Sequence, residues 1–175
     1  MKWKDVEKSG KNGGWLWTSY FYKIRNLMFI GEYSHKIDNK KRLAIPSDFR
    51  SDLGDKAVIT RGFENCLFLY TQSTWKERAK KISERSSLKS DARGLARVML
   101  AGAREVELDN LGRILIPDYL KEYAELEKNV TVAGLYNRIE IWDEDKWQEY
   151  RQKTEQEIGD IAERLEELGI NDSAS

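Results

Sequence analysis

Lys36-Ile37-Asp38-Asn39-Lys40-Lys41-Arg42-Leu43-Ala44-Ile45-Pro46 and Glu107-Leu108-Asp109-Asn110-Leu111-Gly112-Arg113-Ile114-Leu115-Ile116-Pro117 are two versions of one motif. Asp38, Arg42 and Pro46 recur as Asp109, Arg113 and Pro117 at an offset of 71. Downstream the match continues at an offset of 72: Val58, Gly62, Leu67, Leu69 and Trp75 face Val130, Gly134, Ile139, Ile141 and Trp147. A fixed offset held over about 40 residues marks a duplicated module rather than a chance motif.

Each copy reads as the same series of short elements. In the first, Phe29, Ile30, Tyr33 and Ile37 lead into a polar turn at 38–41 and a strand at Leu43-Ala44-Ile45. Pro46 and Pro117 end their strands and suit the first position of a short helix, at Ser47–Leu53 and Asp118–Tyr123. A hairpin follows in each copy, Ala57–Thr60 with Cys66–Tyr70 and Val130–Ala133 with Arg138–Trp142. Four short strands and one small helix are too little to bury a core. Two such units packed together can close a small barrel with few exposed edges. The expected class is therefore α+β, mainly β with helices, a duplicated barrel with inter-repeat and C-terminal helices.

The helices follow from periodicity and capping. Thr74 and Glu77 have capping-box spacing at the start of a charged helix. Leu88, Ala92, Leu95, Ala96, Met99, Leu100 and Ala103 form a 3.6-residue stripe. Thr154, Ile158, Ile161, Leu165 and Leu168 are spaced 4-3-4-3, a short heptad-like seam expected to pack on its own domain, with a subunit contact left open. The resulting division is an extension at 1–27, module one at 28–76, linking helices at 77–102, module two at 103–147, and a C-terminal helix and tail at 148–175. The extension reads as disordered or as sequence upstream of a natural start at Met28, with a mobile basic arm as the alternative.

Composition narrows the function classes. The chain is 40% apolar and 34% charged with a formal net charge of +0, which by itself selects no partner. The charge is unevenly spread: residues 1–27 carry +4, 28–142 about +3 and 143–175 about −7. Cys66 is the single cysteine, so one chain has neither an internal disulfide nor a thiolate zinc site, and its apolar surroundings predict buried filler. With one His, one Cys and no Gly-rich phosphate loop, no enzyme, cofactor or metal site is expected. His35, beside the first strand, reads as a strand or DNA-facing residue. No segment reaches the length and apolarity of a membrane span, and Thr18, Ser19, Lys23 and Arg25 break any signal-peptide core.

The two Asp-x-x-x-Arg turns, each followed by three apolar residues and Pro, resemble the MraZ family of bacteria. Met28-Phe29-Ile30-Gly31-Glu32-Tyr33 and the inter-repeat helices add to the resemblance, which covers about residues 28–170. It implies a tandem pair of AbrB-like (SpoVT-AbrB) swapped-hairpin modules around a pseudo-twofold. It also implies a ring-shaped homo-oligomer, an octamer or a nearby size. The function implied is a cytoplasmic, nucleoid-associated transcriptional regulator that represses its own division and cell-wall gene cluster. Such a protein binds short direct repeats in promoter double-stranded DNA through the Arg-bearing turns, without a membrane partner. One departure stands out: Lys41 occupies a position where the family commonly has Gly, as at Gly112, and is expected to alter the first turn.

Matched windows differ in charge. Residues 33–50 carry +3 and residues 104–121 carry −1, so copy one is expected to supply most of the DNA contact. Arg42 suits base readout, because its planar fork can bond guanine O6 and N7 together. Lys36, Lys40 and Lys41 suit phosphates, and Arg113 is a weaker candidate contact. Asp38, Asp109, Asn39, Asn110, Pro46 and Pro117 are read as turn-supporting. Each Asp-x-x-x-Arg also fits a plain ion pair that locks a turn. A protein-binding module of the AbrB-like antitoxin type is the alternative function, although the apolar stripe of the tail favours a folded segment.

Overall fold

The computed structural model describes residues 28–86 and 89–168. The expectations for residues 1–27, for Leu88 and for the tail beyond Leu168 lie outside them. Copy one contributes β1 (Phe29–Lys36), β2 (Arg42–Ala44), α1 (Ser47–Leu53), β3 (Lys56–Arg61) and β4 (Leu67–Thr71). The helices α2 (Gln72–Ser86) and α3 (Ser90–Ala101) follow. Copy two repeats the series as β5 (Arg104–Glu107), β6 (Arg113–Leu115), α4 (Asp118–Tyr123), β7 (Asn129–Tyr136) and β8 (Ile139–Asp143), and ends in α5 (Glu144–Glu167).

Neither copy pairs only with itself. The strands form a six-stranded antiparallel sheet in the order β1-β7-β8-β4-β3-β5, and β2 with β6 makes a separate two-stranded ribbon. The first strand of each copy thus adds to the hairpin of the other: β1 lies along β7, and β5 along β3. Register exposes the symmetry. In the ribbon Leu43 faces Ile114, its own repeat equivalent, flanked by Arg42–Leu115 and Ala44–Arg113. In the sheet Phe68 faces Glu140, again its equivalent, flanked by Leu67–Ile141 and Leu69–Ile139. A pseudo-twofold axis passes through both pairs, as expected of swapped hairpins.

The main core lies between the inner sheet face, the ribbon and the short helices α1 and α4. It includes Phe29, Leu43, Ile45, Phe49, Ile59, Leu69, Ile114, Ile116, Leu120 and Ile139. Alternation explains the ribbon: Leu43 and Ile114 point inward and are fully buried, while residues 42, 44, 113 and 115 point outward. A second cluster of Cys66, Phe68, Tyr70, Met99 and Trp142 covers the opposite sheet face, beneath Trp75, Ile82 and Trp147. Burial pushes the Cys66 thiol far above its ordinary pKa, so it is filler, as its surroundings predict.

The helices differ from expectation in three respects. Pro46 and Pro117 hold the N-cap positions, one residue before the first helical turn, and their extended backbone ends each strand. Helix α2 is capped by Thr71 rather than Thr74: the Thr71 Oγ1 accepts from the Thr74 N–H at 3.1 Å. Its repeat equivalent Asp143 caps α5 by accepting from the Asp145 N–H at 3.2 Å. A hydroxyl or carboxylate at the end of the fourth strand is thus the stop-and-start signal in both copies. Finally, the C-terminal stripe does not pack on its own domain: Ile158 is 59% and Leu168 73% exposed.

Ile114→Ala removes a fully buried side chain on the pseudo-twofold. The expected loss is about 2–5 kcal/mol of stability by urea unfolding at fixed protein concentration; a loss below about 1 kcal/mol would contradict the central place of this pair.

Candidate nucleic-acid interface

Both Asp-x-x-x-Arg turns are built by one set of bonds. In copy one the Asp38 N–H donates to the Arg42 carbonyl (2.9 Å) and the Lys41 N–H to the Asp38 carbonyl (2.8 Å). Asp38 Oδ1 accepts from the backbone N–H groups of Lys40 (2.8 Å) and Arg42 (2.9 Å). Its Oδ2 accepts from Arg42 Nε (2.8 Å) and Nη2 (2.7 Å). Copy two repeats every bond: Asp109 Oδ1 accepts from Leu111 and Arg113 backbone N–H groups, and Oδ2 from Arg113 Nε (2.9 Å) and Nη2 (2.7 Å). The aspartates fit because a short carboxylate can gather two turn N–H groups and still grip a guanidinium.

The exposed face of the ribbon therefore presents two arginines related by the pseudo-twofold, each held by its own aspartate. The turns are also stitched together. Ile45 N–H donates to the Gly112 carbonyl (2.9 Å) and Ile116 N–H to the Lys41 carbonyl (3.0 Å). Arg113 Nη1 reaches to within 3.9 Å of Asp38 Oδ2. Arg113 consequently lies near two carboxylates, whereas Arg42 is bonded to one. Each arginine engages its own aspartate through Nε and Nη2, so Nη1 of Arg42 has no bond among the described residues.

The predicted site residues are partly gathered here. Arg42, Arg113, Asp38 and Asp109 meet on the ribbon. Lys40 is exposed at the tip of the first turn, without an ion pair among the described residues. Lys41 is exposed too, but its ammonium pairs with Asp118 at the start of α4 (2.5 Å). Lys36 sits at the exposed end of β1. Asn39 and Asn110 are exposed, and the side-chain bonds that build the turns come from the aspartates. His35 is half-buried in β1, and desolvation first, then the charge of Arg50, holds its pKa below the ordinary value.

Lys41 does not alter the first turn. It adopts φ 61°, the same left-handed region as Gly112 at φ 71°, and both turns keep identical bonds. A side chain there costs about 1 kcal/mol or slightly more in backbone strain. The hydrogen bonds around it fix the conformation regardless. Gly112 meets a further constraint that sequence reading misses. A Cβ added there would lie 2.3 Å from Nε of Arg50, which donates to the Ile45 carbonyl at 2.7 Å. Arg50, on α1 of copy one, thus roofs the turn of copy two; sequence credits it only with charge. Also unforeseen are the exposed leucines beside the arginines, Leu111 (63%) and Leu115 (57%). Strict alternation outward from Arg42 and Arg113 was the signal for Leu115.

A chain folded as tandem swapped hairpins, with paired Asp–Arg turns on a two-stranded ribbon, defines the duplicated AbrB-like class. A family model described as "MraZ protein, putative antitoxin-like" matches it twice, at residues 28–98 and 99–168. Proteins named transcriptional regulator MraZ are 48% identical over 143 residues in Alkaliphilus metalliredigens, and 45% in both Natranaerobius thermophilus and Caldanaerobacter subterraneus. Each match spans 82% of this chain and 100% of the relative. The chain belongs to the MraZ family. Among the described residues no helix is long and apolar enough to cross a membrane.

The turns make stability pH-dependent in a definite direction. Hydrogen bonds from Arg42 and Arg113, with the turn N–H groups, hold Asp38 and Asp109 at about 2, below the ordinary 3.8. A depressed carboxylate contributes stability above its unfolded pKa and loses it as pH falls through the folded one. The melting temperature should therefore drop between about pH 4 and pH 2, and Asp38→Asn with Asp109→Asn should flatten that part of the profile. An unchanged slope in the double variant would refute the assignment. Separately, Gly112→Ala should cost about 1–3 kcal/mol, from strain at positive φ and the clash with Arg50. Arg50→Ala in the same chain should recover part of that loss, read from urea midpoints.

Proposed function

We propose that this protein is a sequence-specific DNA-binding transcriptional regulator whose ribbon face enters the major groove. The observation that carries the reading is the outward pair of Asp-held arginines on β2 and β6. A major groove about 12 Å wide admits a two-stranded ribbon, and an arginine held rigidly by a carboxylate loses little freedom when it bonds guanine. The names of the relatives support the same reading.

Copy one does most of the reading. Arg42 pairs with one carboxylate and has the exposed Lys40 beside it, whereas Arg113 lies within 4 Å of two carboxylates in an acidic window. Lys40 and Lys36 contact phosphates. Lys41 does so by exchanging Asp118 for a phosphate, an exchange that is easy between exposed groups.

One ribbon carries too few contacts to locate a promoter alone. The protein acts as a ring-shaped homo-oligomer, whose repeated ribbons raise affinity through effective concentration. Its sites are short direct repeats in helical phase upstream of its own gene cluster, where it acts as a repressor in the cytoplasm at the nucleoid.

Fluorescence anisotropy on the DNA upstream of its own gene tests this. Arg42→Ala should weaken binding about tenfold or more, in line with about 1–3 kcal/mol for a bidentate base contact, and Arg113→Ala should weaken it several-fold less. Equal losses would overturn the division of labour. Wild-type binding no tighter than to shuffled DNA, together with a specific protein co-purifying after nuclease treatment, would replace DNA binding by a protein-binding role.

A further inference from the structure

The outward face of the ribbon carries four side chains, and only two of them are charged. Arg42 lies directly opposite Leu115, and Ala44 directly opposite Arg113. The arginines therefore sit on one diagonal, and Leu115 and Ala44 on the other. Leu115 is 57% exposed, more open than the side chains of Arg42 and Arg113 at 30% and 24%. A leucine standing alone on a surface needs no explanation. This one is held in a set direction. It pairs with Arg42 across the ribbon, and the next residue, Ile116, donates its N–H to the Lys41 carbonyl at 3.0 Å. Alternation gives the inward positions on either side of it to Ile114 and Ile116, both buried, and so keeps Leu115 on the outer face.

That direction places the leucine over the same stretch of groove as Arg42. Residues directly opposite on one face of an antiparallel pair have Cβ atoms about 4.5–5.5 Å apart. Successive bases along one strand are about 3.4 Å apart. When Arg42 bonds the O6 and N7 of a guanine, Leu115 lies above the same base pair or the next one. Leucine has no hydrogen bond to offer there. The base edges in the major groove carry one apolar group, the 5-methyl of thymine. A cytosine at that place would present its amino group, which the leucine would strip of water without bonding it.

We propose that Leu115 is a specificity-determining residue that reads a thymine methyl beside the guanine bonded by Arg42. The inference rests on the reading of the ribbon as the DNA-contacting face and adds a second base to what that face selects. It also gives copy two a share in recognition: the guanidinium comes from copy one and the methyl contact from copy two. In the other half of the pseudo-twofold Ala44 stands opposite Arg113 and reaches less far, so the two halves of the ribbon select differently.

Deoxyuridine tests it, because it keeps every hydrogen-bonding group of thymine and lacks only the 5-methyl. The full chain is titrated by fluorescence anisotropy against the DNA upstream of its own gene, made once with thymine and once with deoxyuridine throughout, and against a shuffled sequence. The unmodified protein should bind the deoxyuridine DNA about fourfold or more weakly, as the loss of one buried methyl contact implies. Leu115→Ala should lose about as much on thymine DNA and show little further loss on deoxyuridine DNA. Leu111→Ala, which removes the exposed leucine at the turn tip, should keep the full preference for thymine. Because Leu115 is exposed, its variant should keep the melting temperature and oligomeric mass of the unmodified protein. Unmodified protein that prefers its own DNA to shuffled DNA, yet binds the thymine and deoxyuridine forms alike, overturns the role of Leu115 and leaves the DNA-binding reading standing. Leu115→Ala that keeps the full thymine preference does the same. A change of oligomeric mass in that variant would assign Leu115 to a contact between copies instead. No preference for its own DNA over shuffled DNA overturns both.

Discussion

Everything in this molecule hangs on the exchange of first strands between the two copies. β1 completes the sheet through β7, and β5 completes it through β3. Without that exchange each hairpin would expose an open edge, and Leu43 and Ile114 would have no opposite number. The exchange also brings two turns, 71 residues apart in sequence, side by side on one ribbon. The candidate interface is a product of the topology: a single copy has one arginine and no partner for it.

Symmetry at the level of backbone coexists with asymmetry at the level of side chains. The turn bonds are the same in both copies to within a tenth of an ångström or so. What differs is the surroundings. Arg50 roofs the second turn and Lys41 reaches out of the first to Asp118. Leu111 stands where the first copy has Lys40, and Leu115 where it has Ala44. The two copies keep one set of turn bonds, while the side chains at the outward positions differ.

Much of this was legible in the sequence. The offset of the Asp, Arg and Pro positions gave the duplication, and alternation with turn residues gave each strand and both short helices. The Asp–Arg pairing was legible because it lies within four residues. Less legible were contacts that cross between copies, since no local spacing reports them. Arg50 over Gly112 is such a case, and so is the approach of Arg113 to Asp38. The cap of α2 is less legible because only Thr74 has a Glu three residues on, whereas Thr71, at the end of β4, caps the helix without that partner. The stripe on α5 was readable as a stripe, but periodicity shows that a helix has an apolar side without showing what lies against it.

The pairing of β1 with β7 has a consequence for how the chain is made. Phe29 lies opposite Tyr136 and Lys36 opposite Asn129, so the first strand waits for a partner synthesised roughly a hundred residues later. During translation the N-terminal hairpin β3–β4 can form early, while β1 stays unpaired until most of the chain has left the ribosome. Contacts so distant along the chain slow folding, and an unpaired strand invites capture by a neighbouring nascent chain. The same exchange that lets one polypeptide build a twofold interface thus makes its biogenesis sensitive to crowding of ribosomes on one messenger.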